Sequence, residues 1–455
     1  MRVLLVSTYE LGHQPLHVAS PAAALRSAGH EVRALDTSVQ EWDPHLVAWA
    51  EAIAFSVPMH TAMRLAVGAA RAVRGARPEL PICLYGLYAP VSRDTTLGPL
   101  ADRLIAGEYE DALVAWVDGL SHPTSSLQST VHLRRTRFLR PARDLLPPLD
   151  RYARLIHGDT EVMVGYVETS HGCAHRCRHC PVPVVYDGRI RIVDIDAVVA
   201  DVAQLVEAGA RHITFGDPDF LNGVHHSLRV ARAVHSAFPY VTFDCTAKVE
   251  HILRHEHVWA ELAGAGCLFV VSAFESTNDE ILARLDKGHT AADATRAIAL
   301  LRDHGIEIRP SFLPFTPWTT RADLVDLLDF VAAQDLVDNV DPVQYAIRLL
   351  LPEGSLLLDH PDIAAHIGPY DAKSLGYTWT AADPSVDAIH ARLALLVEDS
   401  IAAGETIATT FSRVRREVDG RESGPVRCTT GRPRLSEPWF CCAEPTDAQL
   451  SATVP

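Results

Sequence analysis

Two groups of cysteines in this chain have spacings that can do chemistry. The first lies in "SHGCAHRCRHCP", residues 170–181, where Cys173, Cys177 and Cys180 stand at C-x3-C-x2-C spacing in one short basic loop. Thiols this close in a short loop point to a metal centre rather than a disulfide framework. No fourth cysteine is near enough to complete a tetrad. A [4Fe–4S] cube has four irons, each normally held by one thiolate, so three thiolates leave one iron open to a ligand that offers an amine and a carboxylate. The competing centre is zinc, with the three cysteines joined by His171, His175 or His179 in a Cys3His set. Against zinc, C-x3-C is an unusual spacing for it, and structural zinc usually staples small irregular domains. The cluster is therefore the preferred reading, with the three histidines packed around the sulfurs or hydrogen-bonded to them.

The second group is in the tail "RCTTGRPRLSEPWFCCAEP", residues 427–445, which holds Cys428 and the adjacent pair Cys441 and Cys442. Neighbouring thiols are reactive and can close a strained ring disulfide. They also suit soft, thiophilic centres, and trivalent arsenic prefers three thiolates in a pyramid. Cys428, Cys441 and Cys442 would supply these if the tail folded over a site. A redox pair that re-reduces an intermediate, or a tail without a role, remains open. The other cysteines, Cys83, Cys245 and Cys267, sit on or beside apolar strands and read as core.

A loop of this kind needs a rigid frame. The 455 residues allow two or three domains, and 48% hydrophobic against 22% charged residues is a globular balance. A formal charge of −16 argues against nucleic-acid partners, because phosphate binding needs clustered basic side chains. No run reaches the roughly 18 apolar residues of a membrane span, and "MRVLLVSTYE" reads as a first strand rather than a secretory signal. Few, clustered cysteines fit a reducing cytoplasm.

Residues 1–120 alternate strand and helix signals: "RVLLVST", then "SPAAALRSAG" ending at Gly29, "HEVRALD", "EAIAFSV", the helix 60–76, "PICLYG", and a strand and helix over 103–120. This predicts a Rossmann-like α/β domain with a parallel sheet. Residues 121–160 lose the periodicity and read as a linker that packs against both neighbours. Over 161–352 the alternation restarts, with strands expected at 162–170, 212–217, 241–247, 268–276, 306–315 and 343–351. Six β/α units are too few for a closed eightfold barrel, so an open, partial (β/α)6 barrel is expected, with chemistry at the strand C-terminal ends. The cysteine loop follows the first of these strands. Residues 353–455 read as a helical segment, with a helix at 385–404, and then the cysteine tail.

C-x3-C-x2-C after the first strand of such a series resembles the radical S-adenosylmethionine superfamily. The N-terminal unit is similar to the cobalamin-binding domain of one large subgroup, and "GDPDFLNG" (216–223) resembles that subgroup's segment beside the methionine amine. The resemblance implies a [4Fe–4S] cluster on Cys173, Cys177 and Cys180, bound S-adenosylmethionine, and a flavodoxin- or ferredoxin-type electron donor. Gly216, Asp217 and Asp219 would lie along the methionine end. Thr246 and Lys248 would meet its carboxylate, and Ser272 and Glu275 the ribose. Taken singly, Asp217-Pro218 also reads as a turn, Lys248 as a surface base and Glu275 as a helix cap. Cobalamin is less directly implied. The loop "TYELGHQPLHVASP" (8–21) carries His13 and His17 without the D-x-H-x-x-G spacing of a cobalt-ligating loop, and a scaffold that binds nothing, or holds the acceptor, is the alternative.

The "CCAEP" ending resembles the tail of radical proteins that look like enzymes of arsinothricin biosynthesis. That resemblance implies transfer of the 3-amino-3-carboxypropyl group of S-adenosylmethionine to thiol-bound arsenite, with Cys428, Cys441 and Cys442 as catalytic thiols. The competing function is cobalamin-dependent methylation of a small-molecule carbon. A third is a cluster-bearing redox or binding protein.

Overall fold

A computed structural model describes residues 1–91, 93–121, 130–134, 137–420 and 429–437. The N-terminal strands β1 (Arg2–Ser7), β2 (Glu31–Asp36), β3 (Ala52–Ser56), β4 (Ile82–Tyr85), β5 (Arg103–Gly107) and β6 (Val131–His132) form one parallel sheet. Its order is 2-1-3-4-5-6. The central strands β1 and β3 are almost wholly buried, as apolar runs covered by helices on both faces must be. The strand order reverses at β1, so the loops after β1 and β3 diverge and leave a crevice at their carboxyl ends.

The second sheet begins with the antiparallel pair β7 (Arg154–His157) and β8 (Thr160–Val167). A small pair, β9 (Ser170–Gly172) and β10 (Ile190–Ile192), then brackets the cysteine loop. Strands β11 (His212–Phe215), β12 (Thr242–Thr246), β13 (Cys267–Glu275) and β14 (Glu307–Phe312) continue parallel to β8. A hairpin, β15 (Ile367–Asp371) and β16 (Gly376–Trp379), stands apart, and β17 (Arg434–Leu435) closes the far edge on β7. The resulting order is 14-13-12-11-8-7-17. Helix Ile195–Glu207 shows why the connections are helical: Val198, Val202 and Leu205 bury one stripe, and Gly209 at φ +105° ends the turn.

The architecture is thus α/β, with a Rossmann-like sheet followed by a partial barrel. One expectation needs correction. Residues 343–351 do not form a sixth strand: Pro342–Ala346 is a 3-10 turn, followed by a single parallel bridge between Phe315 and Arg348. Pro342 cannot donate to a ladder, and the side chain of Gln344 accepts the Phe312 N–H at 3.0 Å, where a strand backbone would have done so. Within the region 121–160, β6 extends the first sheet and β7 begins the second. Between them Arg143, buried, donates to Gln14 O, to Tyr166 O at 2.6 Å and to Asp201 at 2.8 Å, stapling the two domains together. Among the described residues no helix is long and apolar enough to cross a membrane.

Candidate active site

The carboxyl ends of both parallel sheets open onto one cavity of about 290 Å³. On the N-terminal side its wall comes from the loops after β1 (Leu11, His13, His17), β3 (Pro58, Met59), β4 (Leu87, Tyr88) and β5 (Gly107, Tyr109). On the barrel side it comes from the cysteine loop, Gly216–Asp219, Thr246–Lys248 and the end of β13.

Cys173, Cys177 and Cys180 all reach this cavity as free thiols. Their loop is fixed from outside. Gly172 at φ +77° lies so close to the β10 end that a Cβ would sit 2.3 Å from Arg189 O. Arg178 donates to Ala283 O and Arg284 O, and its carbonyl accepts from Leu357 N. Burial, reinforced by the Asp219 charge, pushes the Cys173 thiol up to about 11, so binding a metal centre there must displace its proton.

The histidines of the loop meet charged and ring partners around it. His171 lies between Glu108 at 3.2 Å and Glu168 at 3.3 Å. His175 contacts Lys248 Nζ and His251 Nε2, each at 3.1 Å, and His179 contacts Glu275 at 3.0 Å. Both nitrogens of His171 and of His175 are engaged, whereas His179 is held through Nε2 alone and its Nδ1 is buried without a partner. Three thiols open to one cavity fit a cluster held at three corners.

Beside the thiols, Asp219 caps the turn Phe220–Gly223 through Leu221 N, and its other oxygen lies 2.8 Å from His251 Nδ1. Asp219, His175 and His251 bring three metal-ligand atoms within 4.8 Å of one another. The Lys248 ammonium, paired with Glu250 at 3.4 Å, already occupies the other nitrogen of His175, so the group offers a cation and, across that ring, the Asp219 carboxylate. That pairing complements an amino-acid zwitterion better than a divalent ion.

Of the residues singled out in the sequence, Gly216, Asp217, Asp219, Thr246, Lys248 and Glu275 line the cavity. Ser272 does not: it alternates with Val271 and Ala273 on β13 and is wholly buried on the opposite face. Asp217 reaches the wall, but both its oxygens are taken, by Thr169 N and Oγ1 and by Ser170 Oγ, at 2.5–2.7 Å. Burial lifts its carboxyl to about 6. Gly216 is needed where it is because a Cβ there would enter the Tyr166 ring. Cys428, Cys441 and Cys442 lie outside the described residues.

The sequence reading passed over a buried charge network between the domains. His17 joins Tyr109 Oη at 2.6 Å to Glu168 at 3.4 Å, and Glu10 points at the same place. Burial alone would lower His17, but Glu168 and Glu10 carry it up to about 9. Burial likewise works against the His171 charge, and Glu108 and Glu168 overcome it, to about 10. Glu10, buried and near Asp36 and Glu168 as well as His17, rises to about 7. The loop spacing gave no signal for this, because the partners come from different strand ends.

Comparison with known proteins agrees with the geometry. Residues 167–331 match the family model described as the radical SAM superfamily, so the chain carries a radical SAM domain. The family implies a [4Fe–4S] cluster and S-adenosylmethionine. Among curated relatives, a ribosomal protein uS12 methylthiotransferase of Bdellovibrio bacteriovorus is 24% identical over 206 residues, 42% of this chain and 44% of its own. The hopanoid C-2 methylase of Rhodopseudomonas palustris is 25% identical over 197 residues, 42% of this chain and 34% of its own. These matches span less than half the length of the relatives. Among solved structures, the cobalamin-dependent S-adenosylmethionine radical enzyme OxsB superposes with a TM-score of 0.69 at 14% identity, covering 88% of this chain and 67% of that one. The radical S-adenosylmethionine methyltransferase TsrM from Kitasatospora setae, with cobalamin and a [4Fe–4S] cluster bound, gives 0.59 at 17%, covering 81% and 76%. The two-domain fold is therefore shared with these two solved structures.

Proposed function

We propose that this chain is a radical transferase that cleaves S-adenosylmethionine in the interdomain cavity and passes a carbon fragment to an acceptor held there. The observation that carries the reading is the convergence of three free thiols, a cation–carboxylate pair and both sets of strand ends on one cavity. The cluster, when bound by Cys173, Cys177 and Cys180, supplies the electron that breaks a carbon–sulfur bond of the sulfonium. In this reading Lys248 meets the methionine carboxylate, Asp219 the methionine amine and Glu275 the ribose, while Thr246 closes the wall between them. Asp217 holds the end of β8 and the following loop in place, and Gly216 allows the close packing of Tyr166. The domain staple and the apolar wall of Leu11, Met59 and Leu87 keep water from the reacting carbon. An external reductant must recharge the site.

Within that class, the fragment is the 3-amino-3-carboxypropyl group and the acceptor is arsenite held by Cys428, Cys441 and Cys442. Support comes from the described end of the chain: Leu435 lines the cavity and Glu437 bonds Tyr9 Oη at 2.6 Å. Cys441 follows four residues later, a reach of at most about 14 Å. A second reading, cobalamin-dependent methyl transfer, is favoured by the shared two-domain arrangement and the broad apolar wall on the N-terminal side. His17 would not ligate cobalt in it, since both ring nitrogens are engaged, whereas the His13 ring faces the cavity against Tyr166.

Anaerobic turnover of the reduced, reconstituted protein with S-adenosylmethionine, with and without arsenite, separates these readings by mass spectrometry. Arsenite-dependent 5′-methylthioadenosine is expected. 5′-Deoxyadenosine with S-adenosylhomocysteine, in protein carrying a corrinoid spectrum, would select methyl transfer. Formation of no nucleoside at all would overturn the enzyme reading.

A further inference from the structure

Glu275 closes β13 in a conformation that a side chain rarely adopts, with φ +62°. A side chain there is strained, and such strain persists only where the surroundings over-determine it. Its carboxylate is buried at the cavity wall, and the contacts that hold it are unevenly placed. His179 Nε2 at 3.0 Å and Lys287 Nζ at 3.1 Å both meet the same oxygen, Oε1. Lys287 is itself only 3% exposed, and this carboxylate is its ion-pair partner. It comes from the segment behind helix Asp279–Leu285, whose end also receives the cysteine loop through Arg178. His179 stands between Cys177 and Cys180. The three side chains therefore join the thiol loop, the last residue of a barrel strand and the segment that follows it.

We infer that Lys287 and His179 are positioning residues that hold Glu275 by one oxygen and leave Oε2 to accept hydrogen bonds from the nucleoside hydroxyls of S-adenosylmethionine. This rests on the radical S-adenosylmethionine reading above and adds to it how the nucleotide site is fixed to the thiol loop. A buried carboxylate without a cation takes up a proton and becomes a poor acceptor, and a carboxylate free to rotate spends binding energy on being ordered. Lys287 and His179 prevent both. Burial would raise the Glu275 carboxyl, yet the Lys287 charge and then His179 keep it well below the usual range. Because His179 moves with the cysteine loop, seating the metal centre and orienting the nucleoside acceptor become one event.

The test compares wild type, Lys287→Met, Lys287→Arg, Glu275→Gln and the Glu275→Gln/Lys287→Met double variant, each reconstituted anaerobically. Iron per chain, unfolding temperature, the dissociation constant for S-adenosylmethionine and the change in the reduced cluster's electron paramagnetic resonance spectrum on adding it are measured. Lys287→Met should keep its iron while its affinity for S-adenosylmethionine falls by roughly tenfold to a hundredfold, the loss expected when a charged partner is removed from a buried carboxylate. Its spectral change should shrink, Lys287→Arg should recover most of both, and the double variant should bind no worse than Glu275→Gln. Wild-type affinity and spectral change in Lys287→Met would overturn the inference, as would full additivity in the double variant. If Lys287→Met alone fails to fold, the double variant, which removes the unpaired charge, and Lys287→Arg decide by the same criteria. Wild-type protein that takes up no iron, or shows no spectral response to S-adenosylmethionine, would sink the parent reading rather than this one.

Discussion

His17 illustrates how one ring can join two domains. It sits in the loop after β1, yet its Nε2 faces Glu168 beyond β8, and burial magnifies the attraction between the charged forms. Its folded-state pKa of about 9 lies above the ordinary 6.5, so the stability it contributes is complete below 6.5 and is lost as the pH rises through 9. The melting temperature should accordingly fall as the pH is raised from neutrality past 9. His17→Gln keeps an N–H for Glu168 without a titrating ring, so its melting temperature should start lower and fall less over the same interval. Differential scanning calorimetry at matched ionic strength checks this. Parallel curves for the two proteins would show that His17 is not charged in the folded chain. The contrast between Asp217 and Asp219 has the same origin. They stand two residues apart in one loop, but Asp217 spends both oxygens on Thr169 and Ser170, whereas Asp219 faces His251 and the Lys248 backbone N–H.

At the scale of elements, the thiol loop depends on the short pair β9–β10 that carries it. Gly172 adopts φ +77° there, under Arg189 O, and alanine would meet both the left-handed penalty and a backbone clash. Gly172→Ala should cost about 1–3 kcal/mol from the backbone conformation alone. It should sharply reduce iron uptake on reconstitution, while circular dichroism still reports a folded α/β chain. Full iron loading in that variant would mean that the pair does not set the loop. This element also marks where sequence reasoning works. The C-x3-C-x2-C spacing, the strands Glu31–Asp36 and His212–Phe215 and the helix His60–Ala76 were legible because local periodicity and short-range spacing encode them. The sixth barrel strand was not, because an apolar run such as 343–351 has the composition of a strand whether or not its neighbours offer a ladder. Lys287, Glu10 and Glu108 were not legible either, since their roles arise only when distant loops meet. His171 and Glu108 are 63 positions apart, and no spacing rule links them. Ser272 stands one position of strand alternation away from the cavity-lining Val271 and Ala273, and that alternation decides the face and is invisible until the register is known.

At the scale of the whole molecule, the described end of the chain runs from the outer edge of the barrel to the N-terminal domain. Arg432 bonds Asn339 and Asp335 at 2.5 Å, β17 pairs with β7, Ser436 N donates to Arg154 O at 2.8 Å, and Glu437 reaches Tyr9. Glu437 packs onto Gly12 so closely that a Cβ at Gly12 would lie 2.7 Å from the Glu437 Cβ. A segment anchored at both ends in this way fixes where the following residues start, and a tethered acceptor reacts faster through its higher effective concentration. If residues 432–437 serve to present the tail thiols, loosening them should uncouple the two halves of the reaction. In Arg432→Ala/Glu437→Ala the cavity residues that meet S-adenosylmethionine are unchanged. The nucleoside coproduct should therefore still form at close to the wild-type rate, while the arsenic-bearing product falls by about tenfold or more, the scale of a lost proximity effect. The measurement is the ratio of the two products in a single anaerobic turnover. If both fall together, in proportion to a lowered melting temperature, the strand only stabilises the fold. If neither falls, the thiols do not depend on this anchor.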